Sequence, residues 1–143
     1  MIIGLANDHA GYELKNEIKE FLTKDVSTEI IDFGCYSNES CDYPDFAHKL
    51  AIAIEEKKCD FGVAICGSGN GINMTLNKHQ QIRSALCWNS EIAELARKHN
   101  DANICVLPAR FINMETAKNV VRNFLTTDFE GGRHLNRIKK IPC

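Results

Sequence analysis

The chain has 143 residues, 44% of them hydrophobic and 25% charged, with a formal net charge of -2. That length supports a core burying about two-thirds of the surface an unfolded chain exposes, so one domain spanning 1–143 is expected. The near-neutral balance gives no nucleic-acid surface, the apolar runs fall short of the roughly 20 residues that span a bilayer, and "MIIGLAND" lacks the flank of a secretion signal. The expected location is cytoplasmic, with no nucleic-acid or membrane partner. Seven cysteines without a C-x-x-C pair fit reduced thiols, mostly small core residues, and no structural zinc site is expected.

Short apolar runs alternate with helical periodicity, which predicts a mainly parallel sheet covered on both faces. The first strand spans Ile2 to Ala6. Leu14, Ile18, Phe21 and Leu22 then recur at i, i+4, i+7 and i+8 as one buried helix face, with Lys15, Glu17 and Lys19 turned to water. A second strand covers Glu29 to Phe33. Pro44 suits a first helical turn, and Phe46, Ala47, Leu50, Ala51 and Ile54 supply the core stripe behind it. Gly62 to Cys66 reads as the third strand, followed by a short helix from near Ile72. Ser84 to Cys87 is the fourth strand, and Ser90 is expected to cap the helix carrying Ile92, Ala93, Leu95 and Ala96. Ile104 to Leu107 forms the fifth strand, before a helix from about Asn113 to Leu125. After Gly131-Gly132, "RHLNRIKK" reads as a last short helix. The fold class is α/β: a Rossmann-like three-layer α/β/α sandwich with a mainly parallel five-stranded sheet and a carboxyl-terminal helix.

In such open sheets ligands bind beyond the carboxyl ends of the strands. Strand 1 runs into Asn7-Asp8-His9, strand 3 into Cys66-Gly67-Ser68-Gly69-Asn70-Gly71 and strand 5 into Pro108-Ala109-Arg110, so these segments are expected to share one crevice. The alternate glycines allow N–H groups to converge on an anion, or form a tight turn with no ligand; they match neither the dinucleotide fingerprint nor a P-loop. Cys66 is either a thiol whose thiolate those N–H groups favour, able to act as base or nucleophile, or an inert core residue. Asp8 and His9 face a ligand or cap the first helix. Arg133 and Arg137, four apart, present two guanidinium groups on one helix face, suited to a phosphate, or make a solvated basic tail. His99 and Asn100 precede strand 5 at its opposite end, where they cap a helix or serve a site completed by a neighbouring subunit.

The segments "NDHAGYELK", "DYPDFA", "ICGSGNGI", "RKHNDANI" and "EGGRHLNRI", in this order and over nearly the whole chain, resemble the type B ribose-5-phosphate isomerases, within a wider family that includes galactose-6-phosphate and allose-6-phosphate isomerases. The resemblance implies an aldose–ketose interconversion of ribose 5-phosphate and ribulose 5-phosphate through a cis-enediolate, with no metal or other cofactor, in the non-oxidative pentose phosphate pathway. It casts Cys66 as the base between C2 and C1, and His99 with Asn100 as the group that helps open the furanose ring. Asp8 and His9 then bind sugar, the loop of Gly67, Ser68, Gly69, Asn70 and Gly71 surrounds the oxyanion, and Arg110, Arg133 and Arg137 bind ligand, the tail pair on phosphate. Physics favours that division: if Cys66 reaches C1 and C2, the adjoining loop lies over those carbons and the phosphate on C5 lies further off. Ser68 serves the thiolate or the sugar. The resemblance also implies a homodimer or tetramer with active sites at the interface.

Two other functions are compatible with parts of this pattern. A hexose-6-phosphate isomerase of the same family shares the chemistry and differs in the sugar. A flavodoxin-like or receiver-like binding module fits less well, because a receiver carries an aspartate at the end of strand 3, where this chain has Cys66.

Overall fold

The computed structural model describes residues 1–26 and 28–143. Five strands, β1 (Ile2–Asn7), β2 (Glu29–Asp32), β3 (Phe61–Cys66), β4 (Ser84–Leu86) and β5 (Ile104–Pro108), form one sheet in the order β2-β1-β3-β5-β4. Every neighbouring pair is parallel, so the sheet is wholly rather than mainly so. Among the described residues six α-helices connect or follow the strands: α1 (Tyr12–Asp25), α2 (Tyr43–Glu55), α3 (Asn70–Leu76), α4 (Ser90–Asn100), α5 (Met114–Thr126) and α6 (Arg133–Ile138).

Period-two alternation divides the core into two layers. Ile3, Leu5, Val63, Ile65, Cys105 and Leu107 pack with the apolar stripes of α1, α4 and α5. Ala6, Ala64, Cys66, Ile104 and Val106 pack with those of α2 and α3. On this second face α2 sits close to the sheet because Gly4 and Gly62 make room for it. A Cβ at position 4 would lie 2.4 Å from Leu50 Cδ1, and one at position 62 would lie 3.1 Å from it. None of the helices, among the described residues, is long and apolar enough to cross a membrane.

The strand order fixes where a ligand can enter. From β1 the chain crosses to β2 on one side, then returns past β1 to β3 on the other. The segments leaving β1 and β3 therefore diverge to opposite faces of the sheet, and the gap between them is a switch point.

Three local expectations are corrected. Lys15, placed in water by periodicity, is 1% exposed. Its Nζ donates to Asp32 Oδ1 and Oδ2 at 3.1 and 2.9 Å and to the Cys35 carbonyl at 3.0 Å, so the edge strand and the segment after it supply the charge and acceptors that burial of an ammonium demands. The cap of α4 is Asn89 rather than Ser90: Asn89 Oδ1 accepts from the Ile92 N–H at 2.9 Å, and Ser90 is the first helical residue. Both are capping types, and the amide one residue earlier reaches the third N–H of the helix. Helix α3 also begins two residues before the expected Ile72.

Candidate active site

At the switch point β1 and β3 are in register with Asn7 opposite Ile65, which brings Asp8 beside Cys66. The turn after β1 is held from several sides. The Asp8 N–H donates to the Ile65 carbonyl at 3.1 Å, and Asn7 Nδ2 donates to the Asp8 carbonyl at 2.8 Å. Asp8 Oδ1 accepts from the N–H groups of Ala10 and Gly11 at 2.9 and 3.2 Å. Asp8 thus caps the chain's entry into α1 with one oxygen, while its other oxygen has no hydrogen-bond partner among the described residues.

A crevice of about 520 Å³ opens here, lined by Asp8, Tyr43, Cys66, Gly67, Ser68, Gly71, Arg110 and Phe111. Cys66 ends β3 at 4% exposure, on the α2 face. The loop that follows it is strapped to the loop after β5: Ala109 N–H donates to the Cys66 carbonyl at 2.9 Å and Arg110 N–H to the Gly67 carbonyl at 3.0 Å. Gly69 takes φ +77°, and a Cβ there would fall 2.3 Å from Leu86 Cδ1, so both conformation and space demand glycine. The N–H of Asn70 donates to Ser68 Oγ at 3.2 Å. Those of Ser68 and Gly69 have no partner among the described residues, and Ser68 lines the crevice.

The structure thus brings Asp8, Cys66, Gly67, Ser68, Gly71 and Arg110 to one crevice. Gly69 and Asn70 shape the loop without lining it. His9 stands to one side, its Nδ1 accepting from the Cys41 N–H at 3.3 Å, which places the proton of a neutral ring on Nε2. Cys41 itself is a poor candidate for chemistry, because burial and then the neighbouring Cys35 thiol push its pKa up to about 11. Burial raises Cys59 and Cys105 as well. Tyr43 escaped the sequence reading. Its ring lies so close to Gly71 that a Cβ there would fall 2.5 Å from Cζ and 2.7 Å from Oη. The available signal was positional: a helix following a strand starts at the ligand edge of the sheet, so its first turn is a place to look.

His99, Asn100, Arg133 and Arg137 lie elsewhere. Helix α4 runs back from the ligand edge and ends at the start of β5, where Asn103 N–H donates to the Arg83 carbonyl ahead of β4. Across the five residues of β5, at about 3.3 Å each, this edge is on the order of 15 Å from Cys66. Glu130 N–H donates to the Lys98 carbonyl at 3.1 Å, so α6 packs on the end of α4. There the rings of His99 and His134 stack, with centroids 4.3 Å apart and planes inclined by 12°. Arg133 and Arg137 are exposed and form no ion pair among the described residues. Ligand atoms of His99, Glu130 and His134 fall within 4.8 Å of one another. The near-parallel rings direct their in-plane lone pairs side by side, however, and two imidazoles bound to one ion must converge on it.

The family model described as Ribose/Galactose Isomerase matches residues 3–141. The chain belongs to this family. Among its members, ribose-5-phosphate isomerase B of Escherichia coli (strain K12) is 39% identical over 141 residues, covering 99% of this chain and 94% of that one. A crystal structure of a ribose 5-phosphate isomerase from Thermotoga maritima superposes with a TM-score of 0.96 at 47% identity, covering 99% of this chain and 97% of the other. The crystal structure of ribose-5-phosphate isomerase B from Mycoplasma genitalium with bound ribulose 5-phosphate gives 0.92 at 39% identity, covering 98% and 93%. Membership of the ribose/galactose isomerase family thus extends over both the crevice and the tail helix.

Proposed function

We propose that this chain is a single-domain isomerase of the family that interconverts ribose 5-phosphate and ribulose 5-phosphate through a cis-enediolate. The supporting observation is the crevice itself: a cysteine at the end of β3 stands beside a buried carboxylate, a hydroxyl, free backbone donors and an arginine. That is the equipment for moving a proton between adjacent carbons.

In the open-chain aldose the Cys66 thiolate takes the C2 proton, and the C2–H electron pair moves toward C1 while O1 gains negative charge. The Ser68 N–H, on the crevice wall, stabilises that oxygen only as the charge develops, which lowers the barrier rather than tightening ground-state binding. The thiol returns its proton to C1 as the O2 proton passes to O1, directly or through a water, so that O1 becomes a hydroxyl as the C2=O2 ketone forms. Asp8 and His9 bind sugar hydroxyls, and Arg110 lies against the loop to hold the chain in place. Arg133 and Arg137, exposed and without an ion pair among the described residues, take the phosphate, while His99 with Asn100 opens the ring.

These groups act on one substrate only if a second copy supplies the far edge. The edge at which α4 ends with His99 lies on the order of 15 Å from the Cys66 edge along β5, more than a five-carbon sugar phosphate spans. The active form is therefore a symmetric dimer, alone or within a tetramer, with each site built from the crevice of one copy and the tail of its partner. It works in the cytoplasm, in the non-oxidative pentose phosphate pathway, and without a metal, so full activity is expected after EDTA treatment. The deciding assay compares turnover of ribose 5-phosphate with that of allose 6-phosphate and galactose 6-phosphate. Preference for the pentose supports the assignment, and preference for a hexose moves the chain to another activity of the family.

A further inference from the structure

Helix α6 carries more than two arginines to the far edge. It lays the His134 imidazole flat on that of His99, centroids 4.3 Å apart. His134 is 7% exposed, and Glu130 Oε2 lies 3.6 Å from its Nε2. The tail is fixed in turn by the bond from Glu130 N–H to the Lys98 carbonyl, one residue before His99. A ring that is buried, stacked and backed by a carboxylate has few ways to move, and neither does the ring it stacks on.

We propose that His134, held by Glu130, is the positioning residue that fixes the His99 imidazole for opening of the furanose ring. The inference rests on the isomerase reading above. In this step His99 gives its proton to the ring oxygen O4 as the C1–O4 bond breaks and its electron pair goes to O4. The O1 proton leaves to water as C1=O1 forms, and His99 recovers a proton from water, so nothing is oxidised or reduced. A second proton on the stack would set two imidazolium ions face to face near the guanidinium groups of Arg133 and Arg137. Burial, then the charges of His99, Arg133 and Arg137, push the His134 pKa down against the opposing pull of Glu130. A charge on His134 is thereby disfavoured, so it serves His99 as a packed surface rather than as a second proton donor.

Ribulose 5-phosphate has its C5 oxygen esterified and cannot close a furanose, so exchange of its C1 proton with solvent starts from the open chain. That separates ring opening from proton transfer. Turnover of ribose 5-phosphate and deuterium uptake at C1 of ribulose 5-phosphate are to be measured for the wild type, His134→Ala, His134→Phe and Glu130→Gln. His134→Ala is expected to lower kcat on ribose 5-phosphate roughly tenfold or more, with KM and C1 exchange within about twofold of wild type. His134→Phe keeps a flat stacked ring and is expected to restore kcat at least about threefold over the alanine variant, while Glu130→Gln, at an exposed position, lowers it about threefold. Equal losses in the two assays, a loss in KM alone, or an unchanged kcat in His134→Ala overturns the proposal. So does a phenylalanine variant no better than alanine. If His134→Ala does not fold, the other two variants carry the comparison, and an unchanged kcat in Glu130→Gln is then the contradicting result. A wild-type chain lacking both activities contradicts the isomerase reading itself.

Discussion

Arg110 lies across Gly67: a Cβ on residue 67 would fall 3.1 Å from Arg110 Nη1 and 3.3 Å from its Cζ. The loop after β5 is thereby laid over the loop after β3, and the guanidinium is held at the crevice by the absence of a side chain beneath it. Gly67→Ala is expected to displace the flexible end of Arg110 without disturbing the strands. KM for ribose 5-phosphate should rise about three- to tenfold while the melting temperature moves by no more than about 2 °C. Steady-state kinetics with thermal melting checks both; a large loss of stability contradicts this assignment of the contact.

Cys66→Ala tests the proton-transfer step. Only the transition state uses the base, so turnover and exchange of the C2 proton should vanish while binding of ribose 5-phosphate stays within about an order of magnitude. Calorimetric titration beside proton exchange followed by NMR reads the two separately, and near-normal turnover would remove Cys66 from the mechanism.

Removal of Arg137 should act mainly on binding. A charge-assisted phosphate contact contributes about 1.5–3 kcal/mol, so Arg137→Ala should raise KM by roughly ten- to a hundredfold with kcat less affected. Inhibition by inorganic phosphate should weaken in parallel. An unchanged KM contradicts the phosphate role.

Asp32 gives the fold a pH dependence of known sign. Burial acts to raise its carboxyl pKa, but hydrogen bonds from Lys15, the Gly34 N–H and Lys19 hold it below the ordinary 3.8. A carboxyl depressed in the folded state contributes stability that is full above its unfolded value and lost as pH falls through the folded one. Asp32→Asn leaves the Lys15 ammonium buried without a counter-charge and should cost about 3 kcal/mol near pH 7. The difference from wild type in urea unfolding should shrink as pH drops through and below 3.8. A difference independent of pH contradicts this account.

The parts of this protein legible in the sequence are those governed by periodicity and by punctuation. Runs such as the one ending at Cys66 mark buried strands, and the glycines beyond it mark the loop. Lys15 was misplaced because its partner, Asp32, is 17 residues away and only strand pairing brings them together. Tyr43 was passed over because its contact with Gly71 depends on how α2 packs beside α3. The order of the strands, and hence the switch point between β1 and β3, is a long-range property that no local pattern encodes. The stacking of His134 on His99 is of the same kind, since α6 follows α4 only after β5 and α5.

The claim on which the site depends is that Cys66 and His99, at opposite edges of the sheet in one chain, act on the same substrate across two copies. Cys66→Ala and His99→Asn chains, each inactive alone, are to be mixed in equal amounts, dissociated and reassembled. Half of the dimers are then mixed, and each mixed dimer has one site with both native groups, so activity should return to about a quarter of the wild-type level. If both groups come from the same chain, every site keeps one defect, and a mixture no more active than its parents contradicts the account.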